Sequence, residues 1–464
     1  MNLDIKFNGE MKKEYKSSQF NEYLGRGKEG WVIFNNLSSA MIEVPKRIYD
    51  AISKDRLDIL SDDVLFGLKK GHFIVSDNDN EIDILKKKRE ELYESSAVIG
   101  LQILPTLGCN FRCIYCYENS QSNTKLMSKE VMDAIINYVK KTIKSTTRYI
   151  YVSWYGGEPL LAMKRIEYLS NSFVDISDKN NIEYFSHITT NGYLLTAKNL
   201  EKLRKFRINH LQITIDGPED IHNKRRMLKN GKGTYKKIVE NLKNAILCKM
   251  DITVRVNIDR GNIYNLKELF LDLQKYDILQ NVKMSLGLVG NFGKVCRSVE
   301  DELLTFKEAT NILKSCSLKK FLLKSKNSNY GRRPFPNLLG CIAQSKISLI
   351  VGPRGEIYKC SKTIGNEEEI CGTIFNVNTE HPNFQKWMNK DKLEVEQCLE
   401  CSMLPICGGN GCPYDVIFLN KHNKCFQKER HNFYLNTLKK LYQQNICKIK
   451  GSEPLKINDR KGGD

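Results

Sequence analysis

From residue 97 to about 295, short apolar runs rich in β-branched and aromatic residues alternate with longer stretches whose apolar positions recur every three or four residues. A strand period followed by a helix period, repeated, predicts parallel βα units and an α/β fold. Strands are predicted at 99–104, 149–154, 186–190, 211–216, 253–257 and 283–289, with helices such as 128–144 and 235–249 between them. Six such units make a partial (β/α)6 TIM-type barrel, whose chemistry belongs on the loops at the carboxyl ends of the strands. Along Thr253-Val-Arg255-Val-Asn257 the period of two puts Arg255 and Asn257 on one face, looking into the barrel, while Val254 and Val256 face the helices.

The flanks follow other patterns. In residues 1–95, strands are expected at 30–35 and 40–43 and a helix at 45–52 with Pro45 near its start. A second helix follows from Ser61 to near Gly71, then a strand at 72–76 and a charged helix at 81–94. Small strands and helices in that order suggest a winged-helix-like module. It serves either as a collar on the barrel or as a peptide-recognition domain to which a substrate segment adds as an edge strand. Beyond about 295 the alternation ends and cysteines take over through 428. Residues 426–444 read as a helix, and the polar 448–464 as a disordered tail. The expected segments are thus 1–95, 96–295, 296–428 and 429–464.

Composition narrows the class. The 464 residues, 41% hydrophobic and 27% charged, describe a globular chain of several domains, with no apolar run of membrane-spanning length and no signal-like start. A cytoplasmic protein with no membrane partner is expected. The net charge of +19 admits anionic partners. Its lysines are scattered, however, with no aromatic-interleaved basic stripe, so nucleic acid is not the expected partner. Fifteen cysteines without an export signal point to metal more than to disulfides. Three lie before residue 200 and eight fall between Cys341 and Cys425.

The first three, Cys109, Cys113 and Cys116, stand within eight residues in Pro105-Thr-Leu-Gly-Cys-Asn-Phe-Arg-Cys-Ile-Tyr-Cys. Thiolates so grouped select zinc, copper(I) or an iron-sulfur centre, and structural zinc would need a fourth ligand that the loop does not supply. Three thiolates on a four-iron cube leave one iron open to chelate a small molecule. The CX3CX2C spacing with Tyr115 before the last cysteine resembles the radical S-adenosylmethionine (radical SAM) superfamily. The resemblance implies a 4Fe-4S cluster on these cysteines, whose free iron holds S-adenosylmethionine. One electron then cleaves that cofactor to a deoxyadenosyl radical that abstracts hydrogen from substrate.

Other motifs fall where that resemblance needs them. Gly156-Gly157-Glu158-Pro159 follows the second strand, and alone would be a tight turn. By resemblance Gly156, Gly157 and Glu158 contact the methionyl ammonium. The third strand ends in Thr189-Thr190-Asn191-Gly192, giving Thr190 and Asn191 at the barrel mouth. The fourth carries Thr214 and leads to His222-Asn-Lys-Arg225-Arg226. In the maturase branch that the pattern resembles, such a hydroxyl meets the ribose and such an arginine the carboxylate. These roles pass to Thr214 and Arg226, with Arg225 as the neighbouring alternative. Tyr115, Arg255 and Asn257 join the expected cofactor contacts.

Seven further thiols, Cys341, Cys360 (five residues after Gly355), Cys398, Cys401, Cys407, Cys412 and Cys425, resemble the SPASM domain of peptide and protein maturases. The usual CX2CX5CX3C is met except for one extra residue between Cys407 and Cys412. The resemblance implies two auxiliary 4Fe-4S clusters, three in all. Cys398, Cys401, Cys407 and Cys425 would hold one; Cys341, Cys360 and Cys412 would hold the other. The latter's fourth ligand would be Cys296, Cys316, Cys371 or an open position. Cys248 reads as a buried apolar side chain.

The expected activity is that of a peptide maturase of the thioether-forming branch. It would bind the leader of a ribosomally made precursor, draw on an external one-electron donor such as flavodoxin or ferredoxin, and join a cysteine sulfur to a carbon, with a carbon-carbon link as variant. The alternative is formylglycine formation of the anaerobic sulfatase-maturase kind. Those enzymes usually begin close to the first cysteine motif and carry an Asp after the cysteine matching Cys360. Here about 100 residues precede the motif, and Ser361 stands at that position. A non-catalytic iron-sulfur carrier or zinc-binding scaffold is the alternative of another class.

Overall fold

The computed structural model describes residues 14–94, 97–116, 125–290, 301–316, 318, 321, 336–337, 341–388, 396–409, 412–419 and 428–443. The chain divides into two compact units, one of residues 1–92, 331–340 and 391–464, the other of residues 93–330 and 341–390.

In the first unit β1 (Tyr15–Ser17) pairs antiparallel with β5 (Ile74–Ser76), and β2 (Asn21–Arg26), β3 (Trp31–Asn35) and β4 (Met41–Val44) form a three-stranded antiparallel sheet. Alternation along β3 sends Ile33 to one face and Val32 and Phe34 to the other. Ile33, Ile42 and Val44 pack on the helices Lys46–Ser53 and Asp62–Lys70 through Ile48, Ile52, Val64 and Leu68. Leu24, Val32 and Phe34 pack on Leu438 of the helix Lys428–Gln443. Tyr434 of that helix donates to Asn36 (2.6 Å) and Tyr442 to Glu43 (2.5 Å). Both faces of the sheet are therefore covered. The cysteine-bearing helices Glu396–Leu399 and Leu404–Cys407 rest on the same module: Leu404 joins Phe20, Leu37 and Leu85, and Asn36 donates to the Ser402 carbonyl (2.8 Å).

The second unit is the barrel. Its strands are β6 (Val98–Ile103), β8 (Tyr149–Trp154), β9 (Glu183–Thr190), β10 (Ile208–Thr214), β12 (Asp251–Ile258) and β13 (Lys283–Leu288). All six pair in parallel in the order β13-β12-β10-β9-β8-β6. The six expected strands are found, and two more extend the sheet. β14 (Leu349–Val351) adds parallel to β6, and β15 (Ile357–Tyr358) adds antiparallel to β14. Strands of three and two residues, all apolar, are too short to show a period, which is why the pattern along the chain did not reveal them. A separate antiparallel ribbon joins β7 (Phe111–Cys113) to β11 (Arg226–Leu228).

The outer face of the sheet buries Ile150, Val152, Trp154, Ile188, Leu211, Ile213 and Val254 completely. Helices such as Lys129–Thr142, capped by the Ser128 side chain, and Ala197–Lys205, capped by Thr196, lie along the strands. The inner face is polar and half-exposed: Gln102, Ser153, His187, Gln212, Thr253, Arg255, Asn257 and Ser285. Among the described residues no helix is long and apolar enough to cross a membrane.

Candidate active site

The loop between β6 and β7 carries Cys109, with Cys113 ending β7 and Cys116 just beyond it; all three are half-exposed. The Gly156-Gly157 turn is pressed against this loop. Gly156 has φ +110°, and a Cβ on Gly157 would overlap the carbonyl oxygens of Leu107 and Gly108. The Glu158 amide donates to the Gly108 carbonyl (2.9 Å). The glycines thus serve the fit of one backbone against another, a role the residue pattern alone did not separate from ligand contact.

Glu158 is fully buried, and burial raises its carboxyl above the ordinary range. Its Oε1 accepts from Thr190 Oγ1 (2.8 Å) and the Leu160 amide (3.0 Å), and its Oε2 from the Asn191 amide (2.8 Å). Asn191 Nδ2 donates to Asn110 Oδ1 (2.8 Å), next to Cys109. Burial, with the Glu158 charge adding, pushes the Cys109 thiol up to about 12. Glu158, Thr190 and Asn191, from two different strand ends, are therefore assembled on the first cysteine.

A second group forms around Tyr115, which is buried under the loop. Its hydroxyl donates to Asp216 and accepts from Arg226 Nη1 (2.7 Å) and Asn257 Nδ2 (3.2 Å). The other oxygen of Asp216 accepts from the Asn257 amide (3.0 Å). The β7–β11 ribbon sets this arrangement, since its register places Arg226 opposite Cys113. Burial pushes the Cys113 thiol up, against the pull of Arg226.

The two arginines now separate. Both have a buried Nε with no hydrogen-bond partner among the described residues, but Arg225 makes a buried bidentate pair with Asp259 (2.9 and 2.7 Å), whereas Arg226 donates through Nη1 to the Tyr115 hydroxyl. His222 fixes the backbone between them. Its Nδ1 accepts from the Asp216 amide (3.3 Å), so Nε2 carries the proton toward Thr234 Oγ1 (3.1 Å), which donates to the Arg226 carbonyl (2.7 Å). Thr214 ends β10 opposite Arg255. Arg255 spans Asn257 Oδ1 (3.1 Å) and Ser285 Oγ (3.3 Å), its guanidinium lying where a side chain on Gly287 would be. Asp216, Asp259, Asn110 and His222 were not singled out from the sequence, because short polar residues in loops give no periodic signal.

The remaining cysteines fall in both units. Cys341 and Cys360 flank the β14–β15 hairpin in the barrel unit, and Cys398, Cys401, Cys407 and Cys412 lie in the first unit; all six are half-exposed. Cys425 and Cys296 lie outside the described residues. Cys316 is half-exposed, while Cys371 is fully buried, its thiol pushed up to about 11 by burial. Beside Cys360, Lys359 is buried with Nζ on the carbonyls of Ser345 (2.6 Å) and Ser348 (2.7 Å). Cys248, expected to be buried on its helix, is the residue just past Leu247 and is half-exposed there.

Residues 103–269, the span holding both groups, match the Radical SAM superfamily. The chain is a radical SAM enzyme. Enzymes of this superfamily use S-adenosylmethionine and a 4Fe-4S cluster. The thiols that would hold such a cluster, Cys109, Cys113 and Cys116, share one loop. Arg226, opposite Cys113, has a buried Nε without a partner among the described residues as a cationic donor for an anionic group. Among the described residues, however, no three His, Cys, Asp or Glu side chains are grouped so that they could hold a metal ion. This radical SAM enzyme is 23% identical over 425 residues to the radical SAM cyclopropyl synthase TigE of Paramaledivibacter caminithermalis, covering 81% of this chain and 85% of that one. It is 24% identical over 370 residues to the cysteine-type anaerobic sulfatase-maturating enzyme of Clostridium novyi, covering 74% and 93%. Its fold resembles native anSMEcpe with bound AdoMet and Cp18Cys peptide (TM-score 0.60, 19% identity, 75% of this chain and 99% of that one). It also resembles Streptococcus suis SuiB bound to precursor peptide SuiA (TM-score 0.51, 15% identity, 88% and 97%).

Proposed function

We propose that this radical SAM enzyme is a peptide maturase that joins a cysteine sulfur to a carbon of a ribosomally made precursor. Cys109, Cys113 and Cys116 would hold the radical SAM cluster. Gly156, Gly157 and Glu158 would take the methionyl ammonium, Glu158 Oε2 having a single donor among the described residues. Arg226 would take the carboxylate, Thr214 the ribose, and Thr190, Asn191, Tyr115, Arg255 and Asn257 would shape the pocket. On one-electron reduction by an external carrier such as flavodoxin or ferredoxin, the bound cofactor supplies a deoxyadenosyl radical. The peptide then loses two hydrogens for each bond formed, one as an atom and one as the thiol proton with its electron. Cys398, Cys401, Cys407 and Cys425 would hold one auxiliary cluster, and Cys341, Cys360 and Cys412 the other, providing a site for the sulfur or for that electron.

Peptide chemistry is supported by the relatives, one a sulfatase-maturating enzyme and one seen with its precursor peptide. The observation that carries the crosslinking reading is Ser361. Where sulfatase maturases have a carboxylate base, this chain has a neutral hydroxyl, donating to Gln102 Oε1 (3.0 Å). Residues 1–95 would bind the leader, and with both faces of the β2–β3–β4 sheet covered, the edges remain for strand addition. Formylglycine formation is the second reading, favoured by the match across 93% of the C. novyi enzyme.

The mass of a cysteine-containing peptide encoded beside the gene, after anaerobic co-expression, separates them. A loss of about two hydrogens per event with a cysteine that resists alkylation is expected. An unchanged mass while the cofactor is still cleaved would bring the formylglycine reading forward. Cys113→Ala should abolish reductive cleavage of S-adenosylmethionine, read as deoxyadenosine by chromatography.

A further inference from the structure

The inner wall of the barrel carries a row of polar side chains that the cysteine loop does not use. Strand register sets Gln102 beside Ser153, Ser153 beside His187, His187 beside His210, and His210 beside Asp251. Ser361 donates to Gln102 Oε1 at one end (3.0 Å). At the other, Asp251 meets His210 Nδ1 (2.8 Å) and Lys283 Nζ (2.7 Å), so that end is compensated internally. In the middle Ser153 Oγ lies 3.1 Å from His187 Nε2.

Two atoms of the row, Gln102 Nε2 and His187 Nδ1, are buried with no hydrogen-bond partner among the described residues. Buried polar atoms are nearly always paired, so two orphans two strands apart in one register row call for an occupant. With the ring proton assigned to Nε2 and given to Ser153, Nδ1 is a bare acceptor. Burial and the neighbouring His210 push His187 down to about 4, which keeps it neutral at physiological pH. The row therefore offers one neutral donor and one neutral acceptor.

We propose that this row binds the backbone of an extended peptide, Gln102 Nε2 donating to a carbonyl and His187 Nδ1 accepting from an N–H. This rests on the peptide reading above. His187 lies four residues before Asn191, the residue that follows β9, which puts His187 about 13 Å along its strand from the cysteine loop end of the barrel. An extended peptide covers that distance in about four residues. The grip thus falls on the main chain about four residues from the reacting carbon, and it is indifferent to the side chain there.

The test uses the full-length reconstituted enzyme and the precursor found by mass, synthesised with one amide at a time replaced by an ester, which deletes a single N–H. One ester, about four residues from the modified position, is expected to raise KM about three- to tenfold, leaving kcat and peptide-free cleavage of S-adenosylmethionine unchanged. His187→Ala should raise KM for the all-amide peptide and no longer distinguish that ester. A KM flat across the whole scan overturns the proposal without any variant, as does a His187→Ala enzyme that still discriminates. An enzyme that modifies no peptide overturns the reading beneath it and the row with it, a different result from modification with a flat scan.

Discussion

At Gly157 two backbones meet with no room for a side chain, since a methyl group would overlap the carbonyls of Leu107 and Gly108. Gly157→Ala is expected to cost about 1–3 kcal/mol as the loop is pushed away. It should also lower iron incorporation, read as iron per chain after reconstitution. His222 makes a pH-dependent contribution. Burial, with Arg226 and Arg225 adding, holds it well below the ordinary 6.5, so the unfolded chain binds the extra proton. Its stabilisation is complete above about pH 6.5 and falls as the pH drops below that. Urea midpoints between pH 7 and 5 should decline in the wild type and decline less steeply in His222→Gln. At this scale the cysteines and Gly-Gly-Glu were legible because their spacing is chemically demanding. Tyr115 could be placed by its neighbours, but its partner Asp216 could not, because that pairing arises only when β10 and the cysteine loop close on each other.

The β7–β11 ribbon is the element that turns a loop of thiols into a site. It pairs Arg226 with Cys113 and brings the turn beyond it to Asn110, whose carbonyl accepts from the Lys229 amide (3.0 Å). No acidic residue lies between Asp220 and Glu240, and Lys224, Lys229 and Lys232 are exposed. None of the three has an ion-pair partner among the described residues. An acidic electron carrier approaching the cysteine loop would meet this basic edge. Lys229→Glu with Lys232→Glu should slow flavodoxin-driven turnover about tenfold at low salt and leave dithionite-driven turnover unchanged, a difference that added salt erases. The barrel strands were readable because each alternates over five or more residues. The ribbon, with strands of three residues, was not.

Over the whole molecule, sequence order and spatial grouping part company. The helix Lys428–Gln443 covers a sheet face made by residues 21–35, and residues 396–407 rest on the same module. Leu438, fully buried there, is the point to test: Leu438→Ala should cost about 2–5 kcal/mol, seen by calorimetry as a lower transition for this unit. Cysteine spacing marked out the late segment as a distinct, thiol-rich stretch. Which body each thiol joins was not legible, because tertiary grouping leaves no local mark on the chain.

The addition of β14 to β6 bears on how the protein is made. The edge of β6, Val98–Ile103, is finished by a strand that begins 246 residues after β6 ends, at Leu349. At roughly 5–20 residues per second, a ribosome takes about 12 to 50 s to supply it. Through that interval the nascent barrel presents Val-Ile-Gly-Leu-Gln-Ile as an open, largely apolar strand edge, the kind that recruits foreign strands. Slow translation or a stop before residue 349 should therefore yield aggregates rather than a soluble barrel, and chaperone demand should peak before the last quarter of the chain emerges.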